Sequence, residues 1–147
     1  MKKMSIVIGA DHGGFILKQK LIKFLESKGY LVADMGTHSE ESCDYPLIAA
    51  SVAKAVASKE FDKGVLICKS GIGMSMAANK IKGIRAALCR DTTDAKTSRQ
   101  HNDANVLCLS ANKTRLPAAR NILNTWLKAE FEAGRHKRRT DQMERLS

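Results

Sequence analysis

The sequence GVLICKSGIGMS, residues 64–75, begins as an apolar run and becomes a loop of small residues after Cys68. An apolar run of this length is typical of a buried strand, and the glycines that follow favour a tight turn into a helix. In an open α/β sheet, ligands bind just outside the carboxyl ends of the strands. The stretch therefore predicts a strand, a loop and a helix, with a candidate site in the loop.

The rest of the chain alternates between apolar runs and helical patterns. Strands are predicted at residues 6–9, 31–34, 65–68, 84–89 and 106–109, and helices at 15–25, 47–58, 74–81, before 102, and from 117 to 134. Nearly continuous apolar strands are typical of a parallel sheet covered on both faces. The pattern predicts a three-layer α/β/α sandwich with a five-stranded parallel, Rossmann-like sheet.

The composition indicates one globular domain spanning residues 1–147, with a basic tail from about residue 135. No apolar run approaches the length that spans a membrane, and the N-terminal run is too short for a signal peptide. The four cysteines form no metal or redox motif, so we expect free thiols, a cytoplasmic location and no membrane partner. Cys89 and Cys108 lie in apolar runs, which favours a structural role.

The formal net charge is +10, and much of the excess lies in the tail Arg135-His136-Lys137-Arg138-Arg139. Such a cluster suits a nucleic acid, a small phosphorylated ligand or a merely solvated helix face. Few aromatic residues are present to stack on single-stranded bases. Charge alone leaves these three interpretations open.

Polar segments follow several of the predicted strands, and a parallel sheet would bring them to one edge. They are Asp11-His12-Gly13-Gly14, Asp44-Tyr45-Pro46, residues 68–75 and Arg90-Asp91. The glycine loop would expose backbone amides to an anion, and the helix that follows would stabilise a thiolate at Cys68. The alternatives are a tight turn without a ligand and a structural cysteine.

These segments, with others, resemble the B-type ribose-5-phosphate isomerases, a family that includes allose-6-phosphate and galactose-6-phosphate isomerases. The resemblance covers nearly the whole chain. It rests on residues 9–15, Asp44-Tyr45-Pro46, Cys68 with 70–73, 77–80, 83–86, 98–107, and Gly134-Arg135-His136 with Arg139.

The resemblance implies an aldose–ketose isomerase that acts through an enediolate without metal or cofactor, on ribose 5-phosphate in the pentose phosphate pathway. Cys68 would move the proton, and His101 would open the sugar ring with the help of Asp11 and Ser70. The substrate would be bound by Asp11, His12, Tyr45, Lys69, Ser70, Gly71, Ile72, Gly73, Asn102, Asn112, Arg135 and Arg139. A homodimer with shared sites is also implied.

Three positions depart from the family pattern. The loop usually reads Cys-Gly-Thr-Gly, whereas here Lys69 replaces the first glycine and Ser70 the threonine. If that glycine has positive φ, we expect Lys69 to strain the loop or to reshape the anion hole. Asn112 stands where the family commonly has a phosphate-binding arginine. The change would either weaken the affinity for phosphate or leave Lys113 or Arg115 to compensate.

Two rival functions follow from the same observations. The first rival is also an isomerase, but one whose substrate is a six-carbon sugar phosphate such as allose 6-phosphate. The string Ser98-Arg99-Gln100-His101-Asn102 favours ribose 5-phosphate, because the galactose-6-phosphate relatives usually lack this histidine. The second rival is a basic, non-catalytic module that binds nucleic acid or phosphorylated metabolites. The isomerase interpretation, by contrast, includes no nucleic-acid partner.

Overall fold

The computed structural model describes residues 3–146. Its five strands are β1 (Ser5–Ala10), β2 (Leu31–Asp34), β3 (Lys63–Cys68), β4 (Ala86–Leu88) and β5 (Val106–Ser110). Its six helices are α1 (Phe15–Ser27), α2 (Tyr45–Ala57), α3 (Ile72–Ala78), α4 (Thr92–Gln100), α5 (Leu116–Lys128) and α6 (Arg135–Glu144). The predicted alternation of strands and helices is confirmed.

The strands form one sheet in the order β2-β1-β3-β5-β4, and every neighbouring pair is parallel. Side chains of β1 alternate between two apolar layers: Ile6 and Ile8 enter one, and Val7 enters the other. The first layer also contains residues of α1, α4 and α5, and the second contains residues of α2 and α3. This arrangement is the predicted α/β/α sandwich.

A buried ion pair holds α1 against β2. The Nζ of Lys18 lies 2.6 Å and 2.7 Å from the two carboxylate oxygens of Asp34. The lysine side chain is fully buried, whereas that of Asp34 is partly exposed. A charge at this depth needs a partner, because an unpaired one loses its hydration without compensation.

Several predicted boundaries are wrong; the third helix, predicted at residues 74–81, is Ile72–Ala78. The fourth strand is shorter than residues 84–89, although Ile84 and Cys89 on either side of β4 are buried as expected. The fifth helix ends at Lys128 and does not reach Gly134. Beyond it the chain leaves the helical path, and the amide of Glu132 donates to the carbonyl of Gln100 at 3.0 Å. A tertiary contact thus replaces the helical hydrogen bonds there.

The basic tail after Gly134 is helical. Helix α6 begins at Arg135. Arg85, just before β4, forms one ion pair with Glu144 of α6 and another with Asp103, which lies between α4 and β5. The guanidinium also donates to the carbonyl oxygen of Asn102 at 3.0 Å. These contacts place α6 beside the loop that enters β5.

Candidate active site

The structure separates the predicted site residues into two groups at opposite edges of the sheet. The carboxyl edge holds Asp11, His12, Tyr45, residues 68–73 and Asn112, which follow strands or begin helices there. The amino edge holds His101, Asn102, Arg135 and Arg139, because α4 runs back across the sheet and ends before β5 begins. We call these the carboxyl-edge group and the amino-edge group.

Cys68 is the last residue of β3 and is 5% exposed. The amide of Gly71 donates to its Sγ at 3.2 Å. Gly71 has φ of +76°, and a side chain there would collide with Leu88 and with the carbonyl group of Leu109. Glycine is therefore needed for the turn that brings an N–H group onto the sulfur. A hydrogen bond of this kind stabilises a thiolate.

The loop uses some of its polar groups internally. The amide of Ile72 donates to Oγ of Ser70 at 3.2 Å, so the amides of Gly71 and Ile72 both have partners within the loop. The first turn of a helix leaves its amides without intrahelical acceptors, which applies to Gly73 in α3. The ring of Tyr45 packs on Gly73, where a Cβ atom would lie 2.7 Å from it. This contact fixes the aromatic ring beside the loop.

Asp11 and His12 lie next to this loop. The amide of Asp11 donates to the carbonyl of Ile67 at 3.1 Å, which ties the end of β1 to the end of β3. Oδ1 of Asp11 accepts the amides of Gly13 and Gly14 at 3.0 Å and 3.1 Å, so backbone groups orient this buried carboxylate. Nδ1 of His12 accepts the amide of Cys43 at 3.3 Å, which places the proton of the neutral ring on Nε2.

Lys69 and Asn112 are directly joined at this edge. The amide of Asn112 donates to the carbonyl of Lys69 at 3.0 Å, and both residues line a cavity of about 460 Å³. Arg90 and Lys113 also line it, so it is strongly basic. The expectation of strain at Lys69 is wrong: its φ is not positive, and the stem of its side chain lies over Gly13. Gly71 supplies the left-handed turn instead.

The remaining cysteines differ from Cys68. Burial raises the pKa of the Cys89 thiol to about 11, against a smaller opposing effect of a hydrogen bond with Ser98. Burial also raises the pKa of Cys108. Both are therefore neutral, apolar side chains of the core, as predicted, and all four cysteines are free thiols.

The amino-edge group is built where α4 ends and α6 begins. His101 caps α4, with its amide donating to the carbonyl of Thr97 at 2.9 Å. Its ring stacks on that of His136 with centroids 4.2 Å apart. Arg135 and Arg139 lie one turn apart on α6 and are exposed, so both can approach one phosphate.

Sequence reasoning missed Glu132 and gave His136 no role. The carboxylate of Glu132 lies 3.8 Å from Nε2 of His101 and 3.7 Å from Nε2 of His136. Nothing in the local sequence marks Glu132, because its position depends on the path of residues 129–134. Its only signal is its spacing of four residues from His136.

The strand-end thiol, the amide-bearing loop and the basic helix together indicate an isomerase of phosphorylated sugars. Residues 6–143 match the Ribose/Galactose Isomerase family, and the chain belongs to that family. It is 48% identical to ribose-5-phosphate isomerase B of Escherichia coli over 141 residues, covering 96% of this chain and 93% of the relative.

Two solved structures are very similar. Ribose-5-phosphate isomerase B of Clostridium thermocellum has a TM-score of 0.96 and 50% identity, with 97% of each chain covered. The Mycoplasma genitalium enzyme, solved with bound ribulose-5-phosphate, has a TM-score of 0.95 and 40% identity, covering 99% of this chain and 97% of that one. No helix within residues 3–146 has the length and apolar character needed to cross a bilayer.

Proposed function

We propose that this protein interconverts D-ribose 5-phosphate and D-ribulose 5-phosphate, as the names of its relatives indicate for them. The observation that carries the proposal is Cys68, placed at the end of β3 with the amide of Gly71 on its sulfur. A phosphorylated sugar of the pentose phosphate pathway is then the substrate. Four free thiols support a reducing location such as the cytoplasm.

In the proposed reaction, the thiolate of Cys68 takes the proton from C2 of the open-chain aldose. Negative charge passes to the carbonyl oxygen at C1, which gives the enediolate. The proton of the C2 hydroxyl group then moves to the oxygen at C1, and Cys68 returns its proton to C1 to give the ketose. Amides of residues 70–73 stabilise the enediolate oxygens. One donor of this kind is worth about 3 kcal/mol in the transition state. Since the amide of Gly71 already faces the sulfur, it supports the base, and Gly73 offers an amide to the substrate.

Ring opening comes before proton transfer. We assign His101 as the proton donor to the ring oxygen while the bond from C1 to that oxygen breaks. Asp11 takes the proton of the C1 hydroxyl group, and Ser70 holds that hydroxyl. The oriented carboxylate of Asp11 suits this role because backbone amides hold one of its oxygens and leave the other for the sugar.

We assign Arg135, Arg139 and His12 to the phosphate group and Asn102 to a sugar hydroxyl. The two arginines provide the paired N–H donors that phosphate prefers. The lysine at position 69 adds a cation to the basic cavity that it shares with Asn112. This placement supports Lys69 as a substrate-binding residue that compensates for the asparagine, together with Lys113.

We further propose a homodimer with shared sites, because one chain cannot bring its two groups together. Val106, at the start of β5, pairs with Gly64, and His101 lies before that strand. From Gly64 to Cys68 the strand rises about 13 Å, several times the reach of a hydrogen bond. A second copy must therefore supply the amino-edge group to Cys68.

An apolar surface beside the carboxyl-edge group supports this assembly. Leu47 of α2 is 73% exposed and Met76 of α3 is 66% exposed, and Ile72 at the start of α3 is also exposed. Large apolar side chains that lie together on a surface are typical of a protein interface.

The proposal is tested by assaying ribose 5-phosphate turnover by purified protein with excess chelator. We expect activity that Cys68→Ala removes and that Cys43→Ala, the matched control in a polar loop, retains. Faster turnover of allose 6-phosphate would favour the six-carbon substrate. Salt-sensitive binding to duplex DNA without turnover of either sugar would favour the non-catalytic module.

A further inference from the structure

His101 and His136 form a stacked pair that a single carboxylate faces. Their rings are 7° from parallel with centroids 4.2 Å apart, and Oε1 of Glu132 lies within 4 Å of Nε2 of each ring. The side chain of His136 is 9% exposed, and within residues 3–146 its Nε2 has no hydrogen-bond partner. A buried polar atom without a partner is costly, so its position calls for an explanation.

The residue types are those of a metal site, but the ring geometry does not suit one. The lone pair of an imidazole nitrogen lies in the plane of its ring. Two stacked, nearly parallel planes do not meet within bonding distance, so one ion would lie well outside the plane of at least one ring. The pair is better suited to holding a proton.

The charges around the pair favour a single proton. Two imidazolium rings in contact would repel each other, so the second proton is disfavoured. The pKa of His136 is lowered, first by burial and then by His101 and Arg135, with Arg139 adding to the effect. Glu132 acts in the opposite direction. His136 is therefore the neutral member of the pair at neutral pH.

We propose that Glu132 and His136 are positioning residues for His101. The neutral ring of His136 fixes the plane of the His101 ring by stacking, and the carboxylate of Glu132, 3.8 Å from Nε2 of His101, fixes the direction in which that nitrogen points. His136 is buried, whereas His101 is half-exposed and able to meet a sugar. This inference rests on the proposed function, in which His101 gives a proton to the ring oxygen.

The carboxylate is tested with Glu132→Gln, which keeps the shape of the side chain and removes its charge. Without that charge the ring of His101 is no longer oriented toward the sugar, so kcat should fall at least about tenfold with little change in KM. Glu132→Asp, which keeps the charge, should keep most of the wild-type kcat. Glu130→Gln, an exposed change of the same kind in the same segment, is the matched control.

NMR separates this inference from the function. The chain has four histidines, so single substitutions assign each ring, and the ring signals of His101 should shift in Glu132→Gln while those of His12 and His38 stay in place. Wild-type protein that fails to turn over ribose 5-phosphate contradicts the function. Active wild type, with unchanged kcat and unchanged His101 signals in Glu132→Gln, overturns the role of Glu132. If that variant does not fold, high salt should shift the His101 signals of the wild type in the same direction, because it screens the half-exposed Glu132.

The stacking role is tested with a pair of variants at position 136. His136→Phe keeps a flat face for stacking, so kcat should stay within about threefold of wild type. His136→Ala removes the face, and kcat should fall at least about tenfold with little change in KM. Equal losses in both variants, with wild-type unfolding temperatures, would overturn the stacking role.

Discussion

Subunit complementation gives the sharpest test of the shared site. Cys68→Ala removes the thiol of the carboxyl-edge group, and His101→Ala removes the imidazole of the amino-edge group. Each variant alone should be inactive. Because the two groups lie at opposite edges of one sheet, about 13 Å apart along β3, a mixed dimer has one site with both groups intact and one with neither. Random association makes half of the dimers mixed, so total activity should recover to about one quarter of wild type.

The assay is turnover of ribose 5-phosphate by chains that carry two different affinity tags, so that the mixed dimers can be isolated. The structure also provides a control pair, Cys68→Ala with Asp11→Asn. Both residues lie at the carboxyl edge of the same chain, where the amide of Asp11 contacts the carbonyl of Ile67, so this mixture should stay inactive. Verified mixed dimers of the first pair without activity would refute the reasoning.

Three further predictions concern the buried ion pair, the thiols and the basic cavity. Asp34→Ala leaves Lys18 buried without its partner and should lower the free energy of unfolding by about 3 kcal/mol in urea titrations; an unchanged midpoint would contradict this. Iodoacetamide should label Cys68 before Cys89, whose pKa is about 11, and peptide masses should show that labelling parallels loss of activity. Lys69→Ala should raise KM for ribose 5-phosphate about tenfold through loss of a charged contact, and an unchanged KM would exclude that contact.

Most of the fold could be predicted because its signals are local. The strands are short and almost continuously apolar, and the turn at Gly71 follows from a glycine that begins a helix. The end of α5 could not be predicted in this way. No residue between Lys128 and Gly134 breaks a helix strongly. The helix nevertheless ends at Lys128, and the segment that follows is held by the hydrogen bond from the amide of Glu132 to the carbonyl of Gln100. That contact depends on the tertiary path.

The candidate site could be predicted in part. Residues such as Asp11 and Cys68 follow strands, and parallel strands necessarily place them at one edge. The pairing of His101 with His136 joins two distant segments through the course of a loop, and Glu132 is a single acidic residue without a motif. Local patterns contain no information about such a contact, whereas side-chain packing reveals it directly.

Because Lys69 contacts Gly13, the effect of a substitution at one of these positions depends on the residue at the other. The stem of Lys69 occupies the space that a methyl group at Gly13 would need, although the backbone of Gly13 is not in the left-handed region. Gly13→Ala should therefore harm this protein and become nearly harmless once Lys69 is replaced by glycine. Such non-additivity is epistasis between residues in contact. Lys69 therefore limits the substitutions that are tolerated at position 13 as the sequence evolves.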